Sequence, residues 1–121
     1  MGDLSAIFAD RIIAIKPEAL DRADYEQVAR LLFDAAGCAY GGTQQQTVSA
    51  LSRWVAAFDG AGPSGVVASG LRVPPSYAAL VNGTAAHSYE LDDTHDASMS
   101  HPASVIVIVF SPTDAATPEK I

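Results

Sequence analysis

Apolar side chains recur at steps of three and four through residues 4–58, and a chain with that period is committed to packed helices and not to a sheet. Leu4, Ile7, Phe8, Ile12 and Ile15 predict a first amphipathic helix, with Asp3 as its cap. After Pro17 a polar stretch leads to Asp24, which with Gln27 three residues on predicts a capping box. It stands in front of Tyr25, Val28, Leu32, Ala35, Ala36 and Ala39. Gly41 and Gly42 end this second helix. Val48, Leu51, Val55 and Phe58, with Trp54 beside them, predict a third that runs to Gly60. These three helices are expected to form the core scaffold.

Glycine and proline then interrupt the period, so residues 60–75 read as a loop with one short extended segment at Val66 and Val67. Pro75 suits the first position of a helix, because its fixed φ is already helical and its missing N–H would have had no partner there. A fourth helix is expected over residues 76–91. Its small residues Ala78, Ala79, Gly83, Ala85 and Ala86 let another backbone approach closely. Residues 105–110 are a continuous β-branched and aromatic run that predicts a buried strand, although no second strand of comparable strength is there to pair with it.

Composition narrows the class of function. The 121 residues suit one small domain. With 7 basic against 14 acidic residues, the formal charge of -7 argues against a nucleic-acid partner. No apolar run reaches the ~20 residues of a membrane span, and no basic-then-apolar leader is present, so a cytoplasmic protein without a membrane partner is expected. Charged residues make up 17% of the chain, where about 25% is usual, and apolar residues make up 49%. That surplus predicts an oligomer or a part of a larger body. Cys38 is the lone cysteine, so no internal disulfide forms, and a small buried apolar role is expected of it.

Proton-transfer groups concentrate between His87 and His101, which include all three histidines together with Glu90, Asp92, Asp93 and Asp96. If the fourth helix continues, Gly83, His87, Glu90 and Thr94 follow steps of four, three and four and share one face. His101 precedes Pro102, which disfavours helix at the position before it, so His101 is expected on a loop folded back over the helix end. Asp92 and Asp93 also suit a helix-ending pair that accepts local N–H groups. Imidazole and carboxylate from His87, Asp92 or Asp93, His95 and His101 could hold Zn, Fe or Mn, but the spacing carries no metal signature and no metal is expected. Asn82 is expected to be structural.

The run from Ala79 to His87 (A-L-V-N-G-T-A-A-H), followed by Glu90 to Asp96 (E-L-D-D-T-H-D) and Ser100-His101-Pro102, resembles the MmgE/PrpD family. The stretch from Leu31 to Gly42 resembles that family's second helix and its glycine stop, and the likeness spans roughly residues 4–107. The family includes 2-methylcitrate dehydratase, cis-aconitate decarboxylase and iminodisuccinate epimerase. The resemblance implies an all-α, helical N-terminal domain, a homodimer, and an active site in a cleft beneath a smaller C-terminal α+β lid, with no cofactor. It implies proton transfer by His101, a substrate-positioning hydroxyl on Thr94, and a carboxylate at Glu90 where relatives commonly carry aspartate. Asp92, Asp93 and His95 are expected to bind substrate, the two aspartates as scaffold or as support behind the groups that touch it.

Dehydrating a polycarboxylate takes a base, an acid and cations that hold the substrate. Glu90 and His101 could supply the first two, but no Lys or Arg stands between Arg72 and Lys120, so the cations must come from elsewhere. The family pattern is lost after Ser104. Residues 1–104 are therefore expected to be a partial, truncated helical domain, and residues 105–121 an atypical, divergent tail. The expected function is that of the N-terminal part of a lyase acting on a small polycarboxylate such as 2-methylcitrate, inactive until a complementing chain brings the lid. A decarboxylase or epimerase subunit of the same family is the near alternative, and a non-catalytic helical dimerisation or regulatory module the distant one.

Overall fold

The structure, a computed structural model, describes residues 3–58 and 61–106. It is mainly helical, as the periodicity predicts: α1 (Leu4–Ala14), a 3-10 turn (Pro17–Ala19), α2 (Arg22–Gly42), α3 (Gln46–Ala56), α4 (Pro75–His87) and α5 (Pro102–Ile106). A two-stranded hairpin, β1 (Ser64–Gly65) and β2 (Arg72–Val73), lies between α3 and α4 in the chain. Among the described residues no helix is long and apolar enough to cross a membrane. The chain divides into two compact units, Met1–Arg30 and Leu31–Ile121.

In the first unit, Asp3 caps α1 as expected, its carboxylate accepting from the N–H of Ser5 at 3.0 Å. No residue of α1 is buried, so the helix forms where predicted but adds nothing to the core, contrary to the expected role of scaffold. The capping box of α2 sits one turn earlier than expected. Asp21 N–H donates to Asp24 Oδ2 at 2.9 Å and Asp24 N–H to Asp21 Oδ1 at 3.0 Å, because aspartate at both ends closes the box as Ser and Glu would.

The core of the second unit is built from small residues: Ala39, Val48, Val55, Val66, Val73, Ala78, Val81, Ala85 and Ala86. α4 lies at its centre and contacts α3, α5 and both strands. The end of α2 comes so close to α4 that a Cβ on Gly42 would stand 1.9 Å from the carbonyl oxygen of Ala85. The small-residue face of α4 therefore serves close packing, as predicted. The hairpin pairs Ser64 with Val73 and Gly65 with Arg72, two residues ahead of the expected segment, and continues through Val66 N–H to Leu71 O at 3.0 Å. Asn82, buried on α4, ties the hairpin down: its Oδ1 accepts from Val67 N–H at 2.9 Å and its Nδ2 donates to Gly65 O at 3.0 Å. The side chains of Trp54, Phe58 and Tyr77 gather beside this core, with Trp54 edge-on to Phe58 at 4.6 Å.

Two expectations fail at the far end. α4 stops at His87 and does not run to residue 91. Val105 and Ile106 are helical where a strand was predicted, because Pro102 opens α5 and Asp93 caps it; the rest of the run, 107–110, and the tail lie outside the described residues.

Candidate functional site

α4 ends in a turn that reverses the chain. Ser88 N–H donates to Ala85 O and Glu90 N–H to His87 O at 3.1 Å, while Ser88 Oγ donates to the carbonyl of Thr84. Glu90 takes a left-handed φ of 51°, a conformation that costs a non-glycine residue roughly 1 kcal/mol. That reversal breaks the expected single face. Gly83 and His87 remain on the helix, Glu90 turns out to solvent, and Thr94 falls in the following loop.

In exchange, the turn brings Asp92 back beside the helix end. Its side chain is fully buried, and its Oδ1 and Oδ2 lie 3.2 and 3.3 Å from His87 Nδ1. His101 comes to the same carboxylate from the other direction, with Nδ1 3.3 Å from Oδ1 and 26% of its side chain exposed. The two imidazole rings meet at 4.5 Å and 63°. The His101 contact has ion-pair distance without hydrogen-bond alignment, which leaves its Nδ1 a buried polar atom with no hydrogen bond. His101 does fold back over the helix end as expected, but the carboxylate it meets there is Asp92 and not Glu90.

Asp93 sets the position of that histidine. Its Oδ1 accepts from Ala103 N–H at 2.8 Å, and Ser104 Oγ donates to His101 O at 2.9 Å, so the start of α5 is held from both sides. Both aspartates of the pair are thus occupied by the protein itself. The Asp92 side chain has no exposed surface. His95 belongs to a separate exposed loop: its Nδ1 lies 2.8 Å from Ser98 Oγ, Ser98 Oγ lies 2.6 Å from Ser100 Oγ, and His95 N–H donates to Ser100 O at 2.9 Å.

Two clefts of about 490 Å³ open on the cluster. One is lined by Gln45, Thr47, Gly83, Thr84, His87 and Ser104 among others; the other by Thr94, Asp96, Met99 and His101. The second brings together His101 and Thr94, two residues picked out from the motif, while Glu90 lines neither. His87 is the residue that the motif did not single out for a role. Its signal is the five-residue step to Asp92, which no helix face would bring together. The cluster is rich in acid, and Cys38 on α2 registers it: burial first, then the charges of Asp34, Asp92 and Asp93, push its thiol pKa up. Cys38 is half-buried, less enclosed than expected.

His87, Asp92 and His101 offer ligand atoms that all lie within 4.8 Å of one another, a donor set that suits Zn, Fe or Mn. His95, the fourth donor conceivable from sequence, is engaged with Ser98 instead.

The sequence has known relatives. The chain is 30% identical over 114 residues to cis-aconitate decarboxylase of Mus musculus and 31% identical over 120 residues to that of Homo sapiens, which covers 93% and 98% of the chain. It is 26% identical over 106 residues, 88% of the chain, to the cis-aconitate decarboxylase-like protein oryM of Aspergillus oryzae. The chain spans only about a quarter of the length of these relatives, 23%, 24% and 22% respectively. No solved structure matches it. Residues 6–116 match the MmgE/PrpD N-terminal domain, and the chain belongs to the MmgE/PrpD family.

Proposed function

We propose that this chain carries the acid–base wall of a lyase that acts on a small polycarboxylate by moving a proton at the carbon next to a carboxylate. The observation that carries the reading is the pair of imidazoles on one buried carboxylate, with His101 opening into the cleft that Thr94 shares. His101 is the proton carrier, and Thr94 positions substrate by its hydroxyl. Glu90, exposed on its left-handed turn, is the second carboxylate of the wall if substrate bridges from the cleft to it. His95 stands at the rim of the same loop.

The relatives' activity favours cis-aconitate as the first substrate to try, ahead of 2-methylcitrate. Decarboxylation leaves an electron pair on carbon that must be protonated, and dehydration removes a proton from carbon while the leaving hydroxyl is protonated. Both reactions use one acid–base group next to a carboxylate, so the same wall serves either. A trianionic substrate also needs positive charge, and residues 73–106 contain no Lys or Arg. Those cations, with the lid, come from the further length that the relatives possess, in the same polypeptide or in a complementing one, and a homodimer is the expected assembly.

The test is turnover of cis-aconitate and of 2-methylcitrate by the 121-residue chain, alone and with a complementing chain that carries the lid, comparing wild type with His101→Ala. Loss of about 10²-fold or more in the variant is expected for a group that transfers the proton. Unchanged turnover in the variant removes His101 from the mechanism. No turnover of either substrate by the complemented wild type favours the non-catalytic helical module.

A further inference from the structure

We propose that Asp92 is a positioning residue that holds both His87 and His101 as their Nδ1–H tautomers, so that Nε2 of His101 is the atom that takes and gives the proton. The inference rests on the acid–base reading of His101 given above, but its geometry stands apart from any substrate. An imidazole nitrogen 3.2–3.3 Å from a carboxylate oxygen either points a proton at it or points a lone pair at it. The Asp92 side chain is fully buried, whereas 46% of the His87 and 26% of the His101 side chain is exposed, so the second arrangement sets a buried carboxylate against another acceptor and the cost of the unsatisfied buried group falls on Asp92, and on the buried Nδ1 of His101.

Asp92 has room for two donors. An ionised carboxylate offers about four lone-pair sites on its two oxygens. His87 Nδ1 straddles Oδ1 and Oδ2, and His101 Nδ1 approaches Oδ1 from the other direction, its ring turned 63° from that of His87. Nδ1 of His101 is left buried without a hydrogen bond, and Oδ1 of Asp92 is the carboxylate oxygen that stands 3.3 Å from it. No Lys or Arg of residues 73–106 competes for the carboxylate.

The functional consequence follows from which nitrogen is sealed. With Nδ1 of His101 closed off against Asp92, exchange with a ligand in the Thr94 cleft falls to Nε2. A hydrogen bond to one ring nitrogen fixes which form the other takes, and here it leaves Nε2 with a lone pair, ready to act as a base. Asp92 also stabilises the imidazolium that forms once Nε2 is protonated, while not itself touching substrate.

The experiment is long-range proton–nitrogen correlation NMR on the 15N-histidine-labelled 121-residue chain near neutral pH, which reads the tautomer of each ring. Nδ1–H is expected for both His87 and His101 in the wild type. In Asp92→Asn, whose amide cannot accept from both rings at two oxygens, at least one of the two is expected to switch to Nε2–H while the backbone amide spectrum stays otherwise folded. A wild-type His101 in the Nε2–H form overturns the proposal, and so does a folded Asp92→Asn in which both rings keep Nδ1–H. The wild-type spectrum decides even if the variant does not fold. The outcome also separates the two ideas: Nδ1–H on His101 with turnover unaffected by His101→Ala sinks the proposed function and leaves the positioning intact, and the reverse pair of results does the opposite.

Discussion

The two units of the chain differ in what they bury. In Met1–Arg30 the apolar side chains of α1 are large and stay in solvent: Ile7 is 47% exposed, Phe8 67% and Ile13 72%, and nothing in α1 is buried. Among the described residues of Leu31–Ile121 the buried apolar positions are alanine and valine, with Gly42 set against Ala85 at backbone distance. The excess of apolar over charged composition therefore resides largely in side chains outside the core. The core itself is held by close approach, which tolerates little change in volume. The second unit builds the site, with Gly42 set against Ala85 two residues before His87, and it too leaves large apolar side chains exposed, Phe33, Leu91 and Met99 among them.

This contrast can be broken at several points. The largest effect is expected for Gly42→Ala, whose new Cβ would overlap the Ala85 carbonyl: destabilisation of about 3 kcal/mol in urea unfolding, at the upper end for overpacked sites. A loss below about 0.5 kcal/mol would mean that α2 and α4 do not meet as closely as described. A smaller effect is expected at Cys38. Its thiol is pushed up by burial and then by Asp34, Asp92 and Asp93, so thiolate appears only at higher pH than for an ordinary cysteine. Its alkylation should be slower than that of an exposed thiol near pH 8 and keep rising beyond the pH where such a thiol levels off, with Asp34→Asn moving the profile to lower pH. The smallest effect is expected in the first unit, where Phe8→Ala should change stability by less than about 0.5 kcal/mol because the ring is exposed. A loss of several kcal/mol there would show that α1 is buried in solution, in an assembly or against further chain.

Legibility in the sequence follows a different division, between local signals and long-range contacts. α1, α3 and the Asp3 cap are readable because period and capping are local, and the capping box of α2 is misplaced by one turn only because an aspartate pair mimics it. The end of α4 is not readable: nothing in Glu90 announces a left-handed φ, and without that turn His87 and Asp92 do not meet. The motif singles out His101 and Thr94, which share a cleft, yet the carboxylate behind His101 had to come from tertiary structure. Asp93 shows the converse, a local N–H acceptor of the kind the sequence suggests, but for α5 and not for the end of α4. The β-branched run predicted a strand from composition alone, and a proline start with an aspartate cap overrode it at Val105 and Ile106.

The most direct test of the central claim, that one buried carboxylate gathers both imidazoles, is a double-mutant cycle between Asp92→Ala and His101→Ala read by urea unfolding. Groups in direct contact are expected to couple by about 1 kcal/mol, with the double variant losing less than the two single losses combined. Losses that add to within about 0.3 kcal/mol would mean that His101 does not rest on Asp92, and the site described here would not exist.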